Sequence, residues 1–113
     1  MLMLAIAAPL AAGTLHLTIT GEDGKRAPAR VYLPAPDGKP VLPESAIVYD
    51  KVRPDGQKER NFVPRDGVAE IDLPAGRYSL LVERGKEYIP HESALEIPGE
   101  GRVTHIVKLE RWT

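Results

Sequence analysis

The sequence predicts an all-β protein, a seven-stranded antiparallel β-sandwich with Greek-key connections. Three observations carry this prediction. Short segments in which apolar and polar residues alternate recur along the chain, as in strands that are covered on one face. Clusters of glycine and proline separate these segments at spacings of about 8–12 residues, which is typical of β-sandwiches. No window combines a helical period with helix caps, so we expect very little helix.

The first half of the chain predicts three strands. Thr14 to Thr20 alternates cleanly, Pro28 to Leu33 is the second strand, and Ala46 to Tyr49 is a short third strand. The polar stretch Lys51 to Arg60 is predicted to be a long loop around Pro-Asp-Gly, followed by a brief extended segment at 61–63. The residues of this half that are predicted to face the core are Leu15, Leu17, Ile19, Ala29, Val31 and Leu33.

The second half predicts four more strands: Val68 to Leu73, Arg77 to Arg84, Ser93 to Ile97 and Arg102 to Glu110. A tight turn separates the first two of these strands, and Gly76 can supply the positive φ that such a turn needs. The residues predicted to face the core are Ala69, Ile71, Leu73, Tyr78, Leu80, Val82, Leu95, Ile97, Val103, His105, Val107 and Leu109.

Tyr78 follows a corner of the chain by a few residues. In Greek-key sandwiches a tyrosine at such a place donates a hydrogen bond from its hydroxyl back to the backbone. We therefore predict a structural role for Tyr78.

Composition limits the function classes. The 113 residues suffice for one domain, and 42% hydrophobic residues suffice for one core. No cysteine is present, which excludes disulfides, thiolate metal sites and a cysteine nucleophile. Fifteen basic and sixteen acidic residues are spread along the chain, so nucleic acid and anionic membranes are not predicted partners.

Residues 1–13 resemble a secretory signal peptide, because an apolar run is followed by Ala11-Ala12-Gly13, small residues that a signal peptidase can read. No lysine or arginine precedes the run, a departure that a truncated start would explain. The run is too short to span a membrane. We therefore predict a single domain over 14–113 and a secreted or periplasmic location. The alternative is a buried or frayed first segment of a cytoplasmic protein.

The residues that could carry chemistry form no coherent set. His16, His91 and His105 are isolated in sequence. One hypothesis is that His16 and His105 form a pair of zinc ligands. The favoured hypothesis is that His16 faces solvent and that His105 is partly buried in the core. The serines lack a nucleophile elbow, and the paired carboxylates are typical of a solvated sheet face. We therefore predict no enzyme activity, no cofactor and no metal site.

The stretch Glu44 to Asp66 is long for a connection in so small a domain, and such stretches are either functional or disordered. Its balanced charge leaves a plain solvated loop as the alternative. Trp112 is predicted to dock on a neighbouring domain rather than on sugar. The candidate interaction surface consists of Tyr49, Lys51, Arg53, Arg60, Phe62 and Trp112.

The segment Leu73-Pro74-Ala75-Gly76-Arg77-Tyr78, with the hairpin layout of Pro28 to Leu33 and Asp37 to Pro40, resembles the carboxypeptidase regulatory-like domains. These domains share a transthyretin-like (prealbumin-like) sandwich, which is also immunoglobulin-like. A second resemblance rests on the same Leu73 to Tyr78 segment together with Glu83 to Tyr88 and the terminal Leu109 to Trp112. In these segments the chain resembles the N-terminal sandwich of secreted bacterial metallohydrolases of the polymerase-and-histidinol-phosphatase type. Their Gly-Asp-x-His-x-His metal motif does not occur before Thr113, so no metal or catalytic residue is carried over.

This resemblance implies a non-catalytic accessory or interaction module whose partner is another protein domain, in particular a hydrolase catalytic domain. Two alternatives stay open. The chain is the truncated N-terminal part of such a metallohydrolase, or it is a carbohydrate-binding module. The aromatic residues available to a carbohydrate site are Tyr32, Tyr49, Tyr88 and Trp112.

Overall fold

The computed structural model describes residues 12–112. Eight strands and one short 3-10 turn make up the regular structure of this part of the chain. The strands are β1 (Ala12–Thr20), β2 (Arg30–Tyr32), β3 (Ile47–Val52), β4 (Lys58–Val63), β5 (Val68–Pro74), β6 (Gly76–Glu83), β7 (His91–Ile97) and β8 (Arg102–Lys108), and the 3-10 turn is Arg65–Gly67.

Two sheets face each other. The small sheet has the order β5-β1-β8 and the large sheet the order β3-β4-β2-β6-β7. The predicted all-β sandwich is therefore confirmed, with two refinements. Eight strands are present in the described residues rather than seven, and β1 pairs with β8 in parallel while its pairing with β5 is antiparallel. Alternation within a strand does not specify the direction of a neighbour that arrives from the other sheet, so the sequence pattern could not reveal the parallel pair.

The core lies between the sheets and follows the predicted alternation. In β1, Leu15, Leu17 and Ile19 are completely buried because β1 is the central strand of the small sheet. The register aligns Leu15 with Ile71 of β5 and with Val103 of β8, so one row of side chains crosses the sheet on its inner face. All the predicted core residues are buried except Val103 and His105, which are half-buried.

The chain crosses from the small sheet to the large sheet at Pro74–Gly76. β5 and β6 are consecutive in sequence, yet they belong to different sheets, so this turn is a corner rather than the tip of a hairpin. The Tyr78 hydroxyl donates a hydrogen bond of 2.7 Å to the Pro74 carbonyl oxygen across the corner. The predicted tyrosine corner is confirmed.

The prediction that Lys51 to Arg60 forms a long loop was wrong. β3 and β4 form a hairpin whose only loop is a short turn around Pro54-Asp55-Gly56. Its residues are polar because most of the hairpin lies outside the sandwich, where strands have no apolar face to bury.

Three turns of the chain share one geometry. In each, an aspartate accepts a hydrogen bond of 3.0 Å from the backbone N–H two residues later, and the intervening glycine has a positive φ. A backbone bond closes each turn, as in a type I turn that ends in a left-handed glycine. An Asp-Gly dipeptide between two extended segments therefore specifies the same turn at three places: Asp23-Gly24, Asp37-Gly38 and Asp55-Gly56.

The predicted signal peptide lies almost entirely outside the described residues. Its last two residues, Ala12 and Gly13, open β1 and pair with Pro74 and Leu73 of β5. Gly13 is close to the β7–β8 turn, since a Cβ there would lie 2.8 Å from the Pro98 carbonyl oxygen. The leader and the location outside the cytoplasm stay predictions.

Replacing Tyr78 with phenylalanine should lower the free energy of unfolding by about 1 kcal/mol, because the change deletes one buried hydrogen bond and little volume. Chemical denaturation of the wild-type and variant chains measures this difference. Tyr49→Phe is the matched control, since Tyr49 is 42% exposed, and it should change stability by less than about 0.5 kcal/mol.

The same comparison has a pH dependence. Burial raises the pKa of Tyr78, with Asp37 acting in the same direction, above the ordinary tyrosine value of 10.0. The unfolded chain therefore loses the Tyr78 proton first, and this contribution to stability is complete below pH 10 and falls as the pH rises further. The deficit of Tyr78→Phe should shrink above pH 10; a deficit that stays constant or grows would contradict the buried, neutral hydroxyl.

Candidate interaction surface

The β3–β4 hairpin, residues 47–63, is an arm attached to the sandwich at one end. Only one pair joins it to the rest of the large sheet, Val31 of β2 with Phe62 of β4. All six residues of β3 are exposed. The inner face of β3 is therefore not covered by the small sheet.

Cross-strand contacts hold the arm together. Arg60 donates a hydrogen bond of 2.9 Å from Nε to Asp50 Oδ1, and Lys51 lies opposite Glu59 in the register. The Lys51 ammonium also lies 5.9 Å from the centre of the Tyr49 ring. These exposed pairs contribute little each, so the arm has a defined register without a core of its own.

The outer edge of β3 has free backbone groups at alternate residues. The Arg53 N–H donates to the Gln57 carbonyl, which makes 53 and 57 a hydrogen-bonded pair. Hydrogen-bonded and non-hydrogen-bonded pairs alternate along an antiparallel ladder, so the N–H and C=O groups of Val48, Asp50 and Val52 point away from β4. β3 is the terminal strand of the large sheet, and these groups face outward.

Four of the six predicted surface residues lie on the arm: Tyr49, Lys51, Arg53 and Arg60. The register places Tyr49 and Lys51 on one face of it and Arg60, opposite Asp50, on the other. Phe62 does not belong to this surface. It is completely buried, because it occupies an inward position of β4 and belongs to the core cluster. Trp112 is 61% exposed but lies elsewhere.

Trp112 belongs to the end of the sandwich opposite to the tip of the arm. Its N–H donates to the Glu87 carbonyl, just after β6, where that strand lies beside the start of β2. β4 runs antiparallel to β2, so the turn of the arm points to the other end. Two guanidinium groups lie near the Tyr88 ring there, those of Arg84 and Arg111, at 5.2 Å and 5.4 Å from its centre.

A row of side chains crosses the outer face of the large sheet. The registers align Tyr49 with Asn61 and Tyr32 with Leu81, and the pair of Val31 with Phe62 brings Tyr32 beside Asn61. A surface concavity of about 380 Å³ opens over this row. It is lined by Arg30, Tyr49, Lys51, Glu59, Asn61 and Val63.

Asn61 is the buried polar residue of this row. It is 2% exposed, and its Oδ1 has no hydrogen-bond partner within the described residues. Burial raises the pKa of the neighbouring Tyr32, while the Arg30 charge and a hydrogen bond from Asn61 oppose this shift. A buried acceptor without a partner is unfavourable for folding, and it indicates a group that a water or a ligand hydroxyl could satisfy.

The outer face of the small sheet is different, because its polar groups pair with one another. Glu70 accepts from Arg102 at 2.7 Å and contacts His16 Nδ1 at 3.0 Å, while Thr14 donates to Asp72 at 2.8 Å. Arg102 Nη2 is also 2.7 Å from the same His16 nitrogen, so the three side chains form one cluster on this face.

The favoured reading of the histidines is confirmed. His16 lies on the outer face of β1, whereas His105 aligns with the buried Leu17 and is half-buried on the inner face. A zinc pair of these two residues is therefore excluded. Burial lowers the pKa of His105, and the nearby His91 acts in the same direction. No pattern in the sequence indicates that His91 and His105 are neighbours, since they belong to strands of different sheets.

Within residues 12–112, no three histidine, cysteine or acidic side chains lie close enough to form a metal-binding group. The helix content of this same part is a single 3-10 turn, so it contains no helix long enough to cross a membrane.

No family model matches the chain, and no curated protein matches it in sequence. Similar folds occur in solved structures. GBS52, the minor pilin of Streptococcus agalactiae, aligns with a TM-score of 0.61 and 22% identity over 92% of this chain and 46% of its own. The Bacillus anthracis TIE protein aligns with a TM-score of 0.57 and 20% identity over 88% of this chain and 16% of its own. BcpA, the major pilin subunit of Bacillus cereus, aligns with a TM-score of 0.56 and 18% identity over 89% of this chain and 29% of its own.

At these identities the likeness shows the fold alone, an immunoglobulin-like β-sandwich. The chain spans less than half of the length of each of these proteins. The resemblance to carboxypeptidase regulatory-like domains stays a prediction from sequence.

Replacing Asn61 with leucine should leave stability unchanged or raise it by up to about 1 kcal/mol, because the change removes a buried acceptor that has no partner. Thermal and denaturant unfolding measure the effect. Asn61→Asp is the control, since it places a charge at the same buried position and should destabilise the chain by more than 1 kcal/mol. A loss above about 1 kcal/mol in the leucine variant would show that Asn61 is kept for the fold.

Proposed function

We propose that this domain is a non-catalytic interaction module that binds an extended segment of another protein along the outer edge of β3. The observation that carries the proposal is the free edge of the arm. The outward N–H and C=O groups of β3 can form a further antiparallel or parallel ladder, and strand addition of this kind is a common mode of peptide recognition.

The side chains of β3 support the proposal. Four of the six large hydrophobic residues that are exposed in the described part of the chain belong to this strand: Ile47, Val48, Tyr49 and Val52. β-branched and aromatic residues favour a further strand as neighbour. Such an edge attracts other chains unless it is protected, and within β3 the charged residues Asp50 and Lys51 offer only modest protection.

The partner and the location belong to the same proposal. One of the similar structures is a major pilin subunit, that is, a component of a larger protein assembly, and this agrees with a module that works by association. The sequence resemblance supports a hydrolase catalytic domain as the partner, in the same or in a separate chain. The leader pattern of residues 1–13 supports a secreted or periplasmic location.

A photo-crosslinking amino acid at position 49, introduced in the cells that make the protein, should capture this partner as a discrete adduct. Val52→Pro should reduce the adduct about tenfold or more, because proline removes an outward N–H without deleting a β3–β4 hydrogen bond. Quantitative immunoblotting of the adduct measures the effect.

Val52→Thr is the matched control, since threonine keeps both the edge N–H and the β-branched shape, and it should leave the adduct unchanged. A crosslinker at position 100, in the β7–β8 turn, reports background capture. Equal adducts at positions 49 and 100, or equal yields from the proline and threonine variants, would refute strand addition at β3.

Carbohydrate binding is the second candidate function, and the outer-face row supports it. Tyr49 and Tyr32 lie on either side of Asn61 in the row, and the Asn61 amide oxygen is an acceptor without a partner that a sugar hydroxyl could satisfy. Tyr88 and Trp112, the other two aromatic residues considered for this role, lie at the other end of the sandwich and do not extend this row.

A glycan array, followed by calorimetry on any sugar that binds, tests this function. Tyr32→Ala and Tyr49→Ala should each weaken binding about tenfold or more if the row is the site. Tyr88→Ala and Trp112→Ala are the controls and should bind as the wild type does. If no sugar on the array binds, or if only the two control variants lose binding, the hypothesis that the row binds carbohydrate is refuted.

A further inference from the structure

β7 and β8 border an opening of the sandwich. They are the terminal strands of the large and the small sheet, and they follow one another in sequence through the turn at 98–101. Towards the turn, Ile97 and Leu95 are buried on the inner face of β7. At the start of β7, away from the turn, the same inner face carries His91 and Ser93, which are only half-buried.

The two histidines converge on one hydroxyl group. His91 Nε2 lies 3.2 Å from Ser93 Oγ, and His105 Nε2 of β8 lies 3.2 Å from the same oxygen. The ring centres are 6.2 Å apart and the rings are tilted by 56°. A serine hydroxyl has a single proton, so it can donate to only one of the two nitrogens and must accept from the other.

This geometry is close to that of two histidines on one metal ion. With metal–nitrogen distances of about 2.0–2.1 Å, the ring centres of such a pair are about 5–6 Å apart. The observed separation of 6.2 Å is slightly longer than this range, so side-chain rotations must bring the two rings closer to hold one ion. Imidazole nitrogen is a good ligand for Zn²⁺, Cu²⁺ and Ni²⁺, whereas Mg²⁺ and Ca²⁺ prefer oxygen ligands.

We propose that His91 and His105 bind a divalent transition-metal ion, with Zn²⁺ as the physiological candidate, between the open edges of the two sheets. The two Nε2 atoms are the protein ligands. Ser93 Oγ and water complete the coordination, because no third histidine, cysteine or acidic side chain joins the group within residues 12–112. With two strong ligands the site exchanges its metal with the surroundings, unlike a closed structural zinc site.

Bound metal would link β7 to β8, and through them the large sheet to the small sheet, at a border where the inner face of β7 is only half-buried. Metal binds only the neutral form of an imidazole ring. Because the unfolded chain does not hold the two rings together, the ion stabilises the folded state by mass action. This site lies apart from β3, so it does not depend on strand addition there.

Thermal unfolding of the chelator-treated full chain in ZnCl₂ tests the site. Saturating Zn²⁺ should raise the midpoint by at least about 4 °C, whereas the same concentration of MgCl₂ should leave it unchanged. Calorimetry should give one Zn²⁺ per chain. NMR of the histidine rings should show shifts at both His91 and His105.

His91→Asn and His105→Asn should each lose the rise in midpoint, and His16→Asn should keep it. His16 is the matched control because it is a histidine on the outer face, held by Glu70 and Arg102. The visible spectrum of added Co²⁺ provides a second readout that does not depend on the stability of the variants. An unchanged midpoint in the wild type, or a rise that both asparagine variants retain, would overturn the proposal.

Discussion

A three-stranded sheet lies over a five-stranded one, and this mismatch determines which surfaces of the molecule are left uncovered. Burial is complete where the central strand β1 faces the middle of the large sheet, as Leu17, Val31 and Val82 show. β3 has no strand opposite to it, and all its residues are exposed. At the other border the inner face of β7 is buried near its end, and it opens at His91 and Ser93. Both candidate sites lie at these two borders.

A hydrogen-bonded corner joins the two sheets. The chain leaves the small sheet at Pro74 and enters the large sheet at Gly76, and the Tyr78 hydroxyl bonds back across the corner at 2.7 Å. The bond ties the start of β6 to the end of β5, and β6 pairs with β2 on one side and β7 on the other. The Asp-Gly turns are local, since each closes within five residues, and the one at Asp37-Gly38 lies beside this corner.

Alternation predicted the strands of the core and its corner, because there the burial of every second side chain imposes a period of two. It failed on the arm. Arg60 and Asp50 are polar on the face that would be apolar in a covered strand, so the hairpin resembled a loop. Phe62 belongs to the same stretch and was predicted to lie at the surface, yet it is buried at the base of the arm, where the core begins. The closeness of His91 to His105 depends on how two sheets meet, and no pattern within one strand contains that information.

The arm is also where the molecule violates the usual rules of a folded domain. A two-stranded hairpin is marginally stable in water, and this one is joined to β2 through a single pair at Phe62. It carries an unprotected edge and, at Asn61, a buried acceptor without a partner. Elsewhere the polar groups of the surface pair within the chain, as Glu70 does with Arg102. A third strand added to β3 would supply what the hairpin lacks, so binding and ordering of the arm would be coupled, and the free domain would bear the cost of keeping a weakly held element available.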